Sequence, residues 1–122
     1  MGKWLAGGLL ASTAAALAVT VLVAVPGDAQ AASAVEEGKA IAFDRKKGNC
    51  LACHMITGGN LPGNMGPPLI AMKARFPDKE VLRAQIYDAT VKNPNSLMPP
   101  FGRNGVLSKD ELDKVVEYIH TL

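Results

Sequence analysis

The residues with the clearest chemical potential are Cys50, Cys53 and His54, which stand in the run Cys-Leu-Ala-Cys-His. Residues three and four apart lie on one face of a helical turn, so both thiols and the imidazole can contact the same planar group. C-x-x-C-H is the attachment signature of c-type haem, in which the cysteines form thioethers and the histidine ligates iron. The motif therefore predicts one covalently attached haem c, bound by Cys50 and Cys53, with His54 as an axial ligand.

Two other kinds of site share a C-x-x-C pair, namely dithiol redox sites and zinc sites. A zinc site needs four ligands, and the chain offers only one further histidine, His120, and no further cysteine. A thioredoxin-like site follows a strand in a βαβ unit, and no strand pattern precedes Cys50. Haem is favoured over both. With the thiols and His54 engaged, covalent catalysis would need another polypeptide, so no catalytic residue is predicted here.

Met98 is the predicted second axial ligand. Met55 adjoins His54 and cannot reach the opposite haem face, whereas Met72 lies at an inward helical position, where methionine commonly fills a core. Met65 belongs to a glycine-rich loop expected to lie on the histidine side. Met98 precedes two prolines that stiffen its loop, which would help to hold an iron–sulfur bond. The alternative to a ligand role is that Met98 is simply a buried methionine of the loop. A thioether opposite imidazole raises the haem potential and fills the last iron site, which favours electron transfer.

Two interpretations fit the segment Gly66-Pro67-Pro68-Leu69. It can be a loop that ends where Pro68 opens a helix. Alternatively, the carbonyl of Pro67 can accept a hydrogen bond from Nδ1–H of His54, which would fix the tautomer and orient the ring. The local sequence does not choose between them.

The first 31 residues are typical of a signal peptide, because a lysine precedes an uncharged run from Leu5 to Val25 and Pro26-Gly27 interrupts it. Ala-x-Ala-like patterns place cleavage near Ala31 or Ala34. Cleavage would leave a periplasmic cytochrome domain over residues 35–122 with no membrane contact. The apolar run is also long enough to span a membrane, so an uncleaved anchor is the alternative.

Apolar periodicity predicts an all-α, cytochrome c-like domain around one haem, with no patterned strand. Gly38 in the first helix indicates a close contact with another helix. Glycine- and proline-rich loops over residues 57–68 and 93–105 separate the helices. Four helices are predicted: residues 35–47, residues 68–76, a segment capped by Asp78 that runs to about Val91, and a last helix that follows a capping box at residues 108–111. The predicted inner faces of the last three helices are, in chain order, Leu69, Met72 and Phe76; Leu82, Ile86 and Ala89; and Leu112, Val115, Val116 and Ile119.

The formal net charge of +2 is far from that of a nucleic-acid-binding domain. Basic residues cluster only at Arg45, Lys46 and Lys47. These side chains fit a solvated face, and they could also pair with haem propionates or steer an acidic partner.

Several segments together resemble a class I cytochrome c, and within that class the chain is similar to the SoxX family. The general likeness rests on Gly38–Phe43, Cys50–His54, residues 66–69, Met98 in a proline loop and the amphipathic last helix. The likeness to SoxX rests on the runs Ile-Ala-Phe-Asp-Arg-Lys-Lys-Gly-Asn before the haem motif, Pro-Gly-Asn-Met-Gly-Pro-Pro-Leu at residues 62–69 and Met-Pro-Pro-Phe-Gly at residues 98–102.

This resemblance implies a small monohaem subunit of the SoxXA cytochrome of bacterial sulfur oxidation. Such subunits pair in the periplasm with haem-bearing SoxA, and the complex couples thiosulfate oxidatively to a cysteine of SoxYZ, an L-cysteine S-thiosulfotransferase activity. The chemistry belongs to the partner's haem, while SoxX receives electrons for a downstream acceptor such as another cytochrome c. By the same resemblance Cys50 and Cys53 bind haem, and His54 and Met98 ligate iron. The alternatives are a free-standing periplasmic shuttle to a terminal oxidase and an open-site haem enzyme or sensor.

Overall fold

The computed structural model describes residues 27–122, which form four α-helices and two 3₁₀ turns and contain no strand. The all-α prediction is confirmed for this part of the chain. Residues 1–26, which carry most of the predicted signal peptide, lie outside the described residues. None of the helices described is both long and apolar enough to cross a membrane. The helices are α1 (Gly27–Phe43), α2 (Met72–Arg75), α3 (Lys79–Tyr87) and α4 (Lys109–Ile119), and the 3₁₀ turns are Cys50–Ala52 and Ala89–Val91.

The helices α1 and α4 cross in close contact, as Gly38 predicts. A Cβ at Gly38 would overlap the backbone carbonyl of Lys114, so only glycine allows this approach. Five residues further along α1 and four residues further along α4, the rings of Phe43 and Tyr118 meet edge to face with centroids 6.0 Å apart. Crossing of the first and last helices closes the domain around one core.

The helix α1 ends at Phe43, four residues before the predicted end at Lys47, and it is already helical at Gly27, the first described residue, ahead of the predicted start at Val35. The early end has a local cause. The side chain of Asp44 accepts a hydrogen bond from the backbone N–H of Lys46 (2.8 Å), and the N–H of Gly48 donates to the carbonyl of Ile41 (3.1 Å). This turn reverses the direction of the chain and leads directly to Cys50.

The helix α2 begins at Met72, not at Pro68. Ala71 has a left-handed backbone (φ 51°), and the N–H of Leu69 donates to the carbonyl of Met55 (2.9 Å), which keeps the preceding residues extended. The predicted inner face is nevertheless confirmed, because Met72 is buried and both Leu69 and Phe76 pack against the core.

The helix α3 is capped by the side chain of Asp78, as predicted, but ends at Tyr87 instead of Val91. It stops there because Asp88 is extended and its carboxylate accepts from the N–H of Thr90 (3.0 Å), which starts a 3₁₀ turn. The capping box of α4 is present in full. The predicted inner faces of both helices are buried: Leu82, Ile86 and Ala89, and Leu112, Val115, Val116 and Ile119.

Candidate haem-binding site

The motif residues Cys50, Cys53 and His54 lie on one tight turn. Asn49 enters this turn with a left-handed backbone (φ 47°), and Cys50–Ala52 form a 3₁₀ turn. The carbonyl of Cys50 accepts from the N–H groups of Cys53 (3.3 Å) and His54 (2.9 Å). All three side chains are partly buried. The structure therefore brings together the two thiols and the imidazole that the sequence singled out.

The ring of His54 is oriented by the backbone of Pro67. Its Nδ1 lies 2.7 Å from the Pro67 carbonyl oxygen. Because a carbonyl can only accept, Nδ1 carries the proton, and in the neutral ring Nε2 is left with a free lone pair. This is the tautomer that a histidine needs to ligate a metal through Nε2.

The glycine-rich loop packs directly on the motif. A Cβ at Gly66 would lie 2.6 Å from Nδ1 of His54, and one at Gly63 would overlap the carbonyl of Ala52. The N–H of Gly66 also donates to the carbonyl of Cys53 (2.8 Å). Missing side chains at these two positions are what let the loop cover one side of the imidazole.

The thiol of Cys50 has the character of a buried neutral group. Burial raises its pKa to about 11, whereas the reactive cysteine of a dithiol redox site has a lowered pKa. Cys50 and Cys53 do not form a disulfide with each other. Among residues 27–122 no three His, Cys, Asp or Glu side chains are grouped to hold a metal ion. The set of two thiols and one imidazole with a free Nε2 fits haem c better than either alternative.

The four methionines of the described chain lie in different environments. Met55 and Met65 are 53% and 69% exposed, and Met72 is 2% exposed within the core. Met98 is partly buried and packs against the core, and its N–H donates to Oγ of Ser96 (3.2 Å). It is therefore a thioether that is neither free in solvent nor enclosed among core side chains.

The second histidine has a structural environment. His120 is buried at the end of α4, and its Nε2 lies 3.0 Å from the carbonyl oxygen of Phe76. This contact ties the last helix to the segment before α3.

Three features escaped the sequence analysis. Arg75 donates to the carbonyl of Pro68 (2.9 Å), beside the carbonyl that meets His54. Arg103 pairs with Asp88 (2.6 Å) across the ends of the Met98 loop. Neither pair has a recognisable spacing, so no sequence signal could have found them.

The third feature concerns the basic cluster. Lys47 pairs with Glu111 in the first turn of α4, and this hydrogen bond, with that from the Ser108 backbone, lowers the pKa of Glu111 to about 2. Arg45 and Lys46 are exposed. One of the three cations is therefore part of the fold, and two face solvent.

Comparison with known proteins gives the family of the chain. Residues 33–119 match the family described as "Cytochrome C oxidase, cbb3-type, subunit III". The chain belongs to this cytochrome c family, whose members carry haem c and transfer electrons.

Two individual proteins are similar to the chain. The crystal structure of SoxXA from P. pantotrophus aligns with a TM-score of 0.65 and 26% identity, over 71% of this chain and 80% of that chain. An uncharacterized lipoprotein of Aquifex aeolicus (strain VF5) is 36% identical over 76 residues, or 62% of this chain. The chain spans 37% of the length of that relative. Family and fold together support a SoxX-like monohaem cytochrome c.

Proposed function

We propose that this chain is the electron-accepting subunit of a SoxXA-type cytochrome. The observation that carries the haem assignment is the contact between His54 Nδ1 and the Pro67 carbonyl, which leaves Nε2 free on the same turn as Cys50 and Cys53. The likeness to SoxXA of P. pantotrophus supports the assignment to that complex.

Each site residue has a separate task in this proposal. Cys50 and Cys53 bind the haem covalently, and His54 ligates iron through Nε2. Pro67 holds the imidazole in orientation, and Met98 supplies the second axial ligand. When bound, haem c supplies an iron that accepts and releases one electron. A thioether opposite imidazole favours the ferrous state, so it suits a subunit that receives electrons.

The sulfur chemistry belongs to other polypeptides. The thiols of Cys50 and Cys53 are the only ones in the chain, and both are assigned to haem, so no thiol remains to carry a thiosulfate-derived group. We infer that a SoxA-like haem subunit catalyses the oxidative coupling of thiosulfate to a cysteine of SoxYZ. This chain takes the electrons released and passes them to a downstream acceptor such as another cytochrome c.

Co-expression with a SoxA-like haem protein tests the complex. We expect the two to copurify, and thiosulfate with SoxYZ to reduce the haem of this chain only when the partner is present. A chain that stays strictly monomeric and is reduced equally well without the partner would instead be a free-standing shuttle to a terminal oxidase.

Variants of two methionines test the axial ligand. We expect Met98→Ala to lose the long-wavelength absorption band of thioether-ligated ferric haem and to bind carbon monoxide when reduced. Met65→Ala removes an exposed methionine and should keep the wild-type spectrum. An unchanged Met98→Ala spectrum would remove the assignment, and carbon monoxide binding by the wild type would favour an open-site enzyme or sensor.

We further propose export to the periplasm, with a signal peptide over residues 1–31 and a cytochrome domain over residues 35–122. Residues 29–33 are exposed, and the contacts of α1 with the core begin at Val35. Cleavage after Ala31 or Ala34 would therefore leave the core intact. The N-terminal sequence of the protein from a periplasmic fraction tests this, and an uncut chain in the membrane fraction would indicate an anchor.

A further inference from the structure

The loop that carries Met98 is closed at its base by four residues. The carbonyl of Tyr87 accepts from the N–H groups of Gly102 (3.1 Å) and Arg103 (3.3 Å). The Tyr87 ring lies against Gly102 where a Cβ would not fit. Asp88 completes this group, and we call Tyr87, Asp88, Gly102 and Arg103 the loop base.

One buried carboxylate connects the two ends of the loop. Oδ2 of Asp88 accepts from Nη1 of Arg103 at 2.6 Å, after the loop. Oδ1 accepts from the N–H (3.0 Å) and the hydroxyl (2.5 Å) of Thr90, before it. Asp88 is 6% exposed. Arg103 is half-exposed, but the carboxylate that it meets is buried, so loss of the guanidinium would leave this carboxylate with the hydrogen bonds from Thr90 alone.

The hydrogen bonds inside the loop do not fix its position. The N–H of Met98 donates to Ser96 Oγ, and that of Asn95 donates to Asn93 Oδ1 (3.1 Å), each two residues away. Such bonds shape the loop locally but do not attach it to α3. Phe101, three residues after Met98, is buried in the core and is followed directly by Gly102 of the loop base. The placement of Met98 against the core therefore depends on the packing of Phe101 and on the loop base.

We propose that the Asp88–Arg103 ion pair positions Met98 and limits how often its thioether leaves the iron. This rests on the proposed function, in which Met98 is an axial ligand. Arg103 acts through Met98 and is a positioning residue. Opening of the loop base would free Met98 while α1 and α4 stay packed, because the base lies outside their contact.

The test is ligand exchange in the oxidised, haem-loaded full chain. Added imidazole displaces the thioether, and loss of its absorption band reports the exchange. We expect Arg103→Gln to raise the exchange rate roughly threefold to tenfold. Arg103→Lys retains the charge and should give a smaller increase, which also provides the comparison if the glutamine variant does not fold.

Arg83→Gln is the matched control, because Arg83 forms an ion pair of the same length between α3 and α4, with Asp113 (2.6 Å) and not with a residue of the loop base. It should lower the urea midpoint and leave the exchange rate unchanged. The proposal would be overturned if both Arg103 variants exchanged the ligand at the wild-type rate. It would also be overturned if Arg83→Gln raised the exchange rate as much as Arg103→Gln does. If the thioether absorption band were still present in Met98→Ala, the axial assignment on which the proposal rests would instead be refuted.

Discussion

Gly38 of α1 and Lys114 of α4 meet where the helix backbones are closest, with no room for a Cβ at Gly38 beside the Lys114 carbonyl. The same lysine reaches back to α1, since its Nζ lies 2.6 Å from Oε2 of Glu37. The hydrogen bonds to Asp110 and Glu37 raise the pKa of Lys114 above its usual range. One residue of α4 thus contributes both a steric and a charged contact to the crossing.

The first prediction is that Gly38→Ala destabilises the fold. The new methyl group would overlap a backbone carbonyl that cannot rotate away, so the helices must separate. We expect the free energy of unfolding to fall by about 1–3 kcal/mol, the usual cost of overpacking. Urea denaturation of the holoprotein measures it. Lys39→Ala, at the exposed neighbouring position, should be nearly neutral, and equal stability of the two variants would contradict the crossing.

The second prediction concerns the orientation of His54. In Gly66→Ala the new Cβ would lie within 2.6 Å of Nδ1, so the ring or the loop must move and weaken the bond to Pro67. That bond makes the imidazole a more basic ligand, which stabilises ferric iron. Its loss should therefore raise the midpoint potential by roughly 20–60 mV.

Redox titration measures this shift, and Gly58→Ala is its control. Gly58 is a glycine of the same loop with φ 81°, and no atom lies within 4 Å of the position that a methyl group would take there. Substitution at Gly58 strains the backbone without touching His54. A potential that moves equally in both variants would attribute the effect to the loop as a whole.

The sequence predicted best where the determinants are local. Both the start and the buried face of α4 were predicted, because Ser108 and Glu111 cap the helix within one turn and its apolar residues repeat at helical spacing. The predicted end of α3 at Val91 was wrong, because Asp88 leaves the helix to bind Thr90 and Arg103. Arg103 lies 15 residues further along the chain. No helical periodicity contains that contact.

The same distinction applies to the site. Cys50, Cys53 and His54 lie on one turn, so their spacing alone predicts their proximity. The contact between His54 and Pro67 spans 13 residues of loop and was left open between two interpretations. It depends on Gly66 and its neighbours packing on the motif, which only the folded loop reveals.

The third prediction addresses covalent attachment. We expect Cys50→Ala and Cys53→Ala each to retain haem after denaturation through one remaining thioether. The double variant Cys50→Ala/Cys53→Ala should release it. Haem staining of denaturing gels and the mass of the intact protein measure attachment. Thr57→Ala, an exposed substitution after the motif, should match the wild type, and a wild-type chain that loses haem on denaturation would contradict attachment.

The fourth prediction is a loss of stability in acid that depends on Glu111. Its pKa falls from 4.5 to about 2 in the fold, because Lys47 and then the backbone N–H of Ser108 hydrogen-bond to the carboxylate. A carboxyl with a lowered folded pKa stabilises the protein above its unfolded value. This contribution is therefore complete above pH 4.5 and is lost as the pH falls towards 2.

Urea denaturation at a series of pH values measures the effect. Glu111→Gln should reduce stability above pH 4.5 and flatten the decline between pH 4.5 and 2. Lys47→Met removes the main partner and should act in the same direction. Glu80→Gln replaces an exposed glutamate in the first turn of α3 and should retain the wild-type profile. If Glu111→Gln also retained that profile, the pair with Lys47 would not stabilise the fold, because the lowered pKa requires that Glu111 be ionised and bound in the native state.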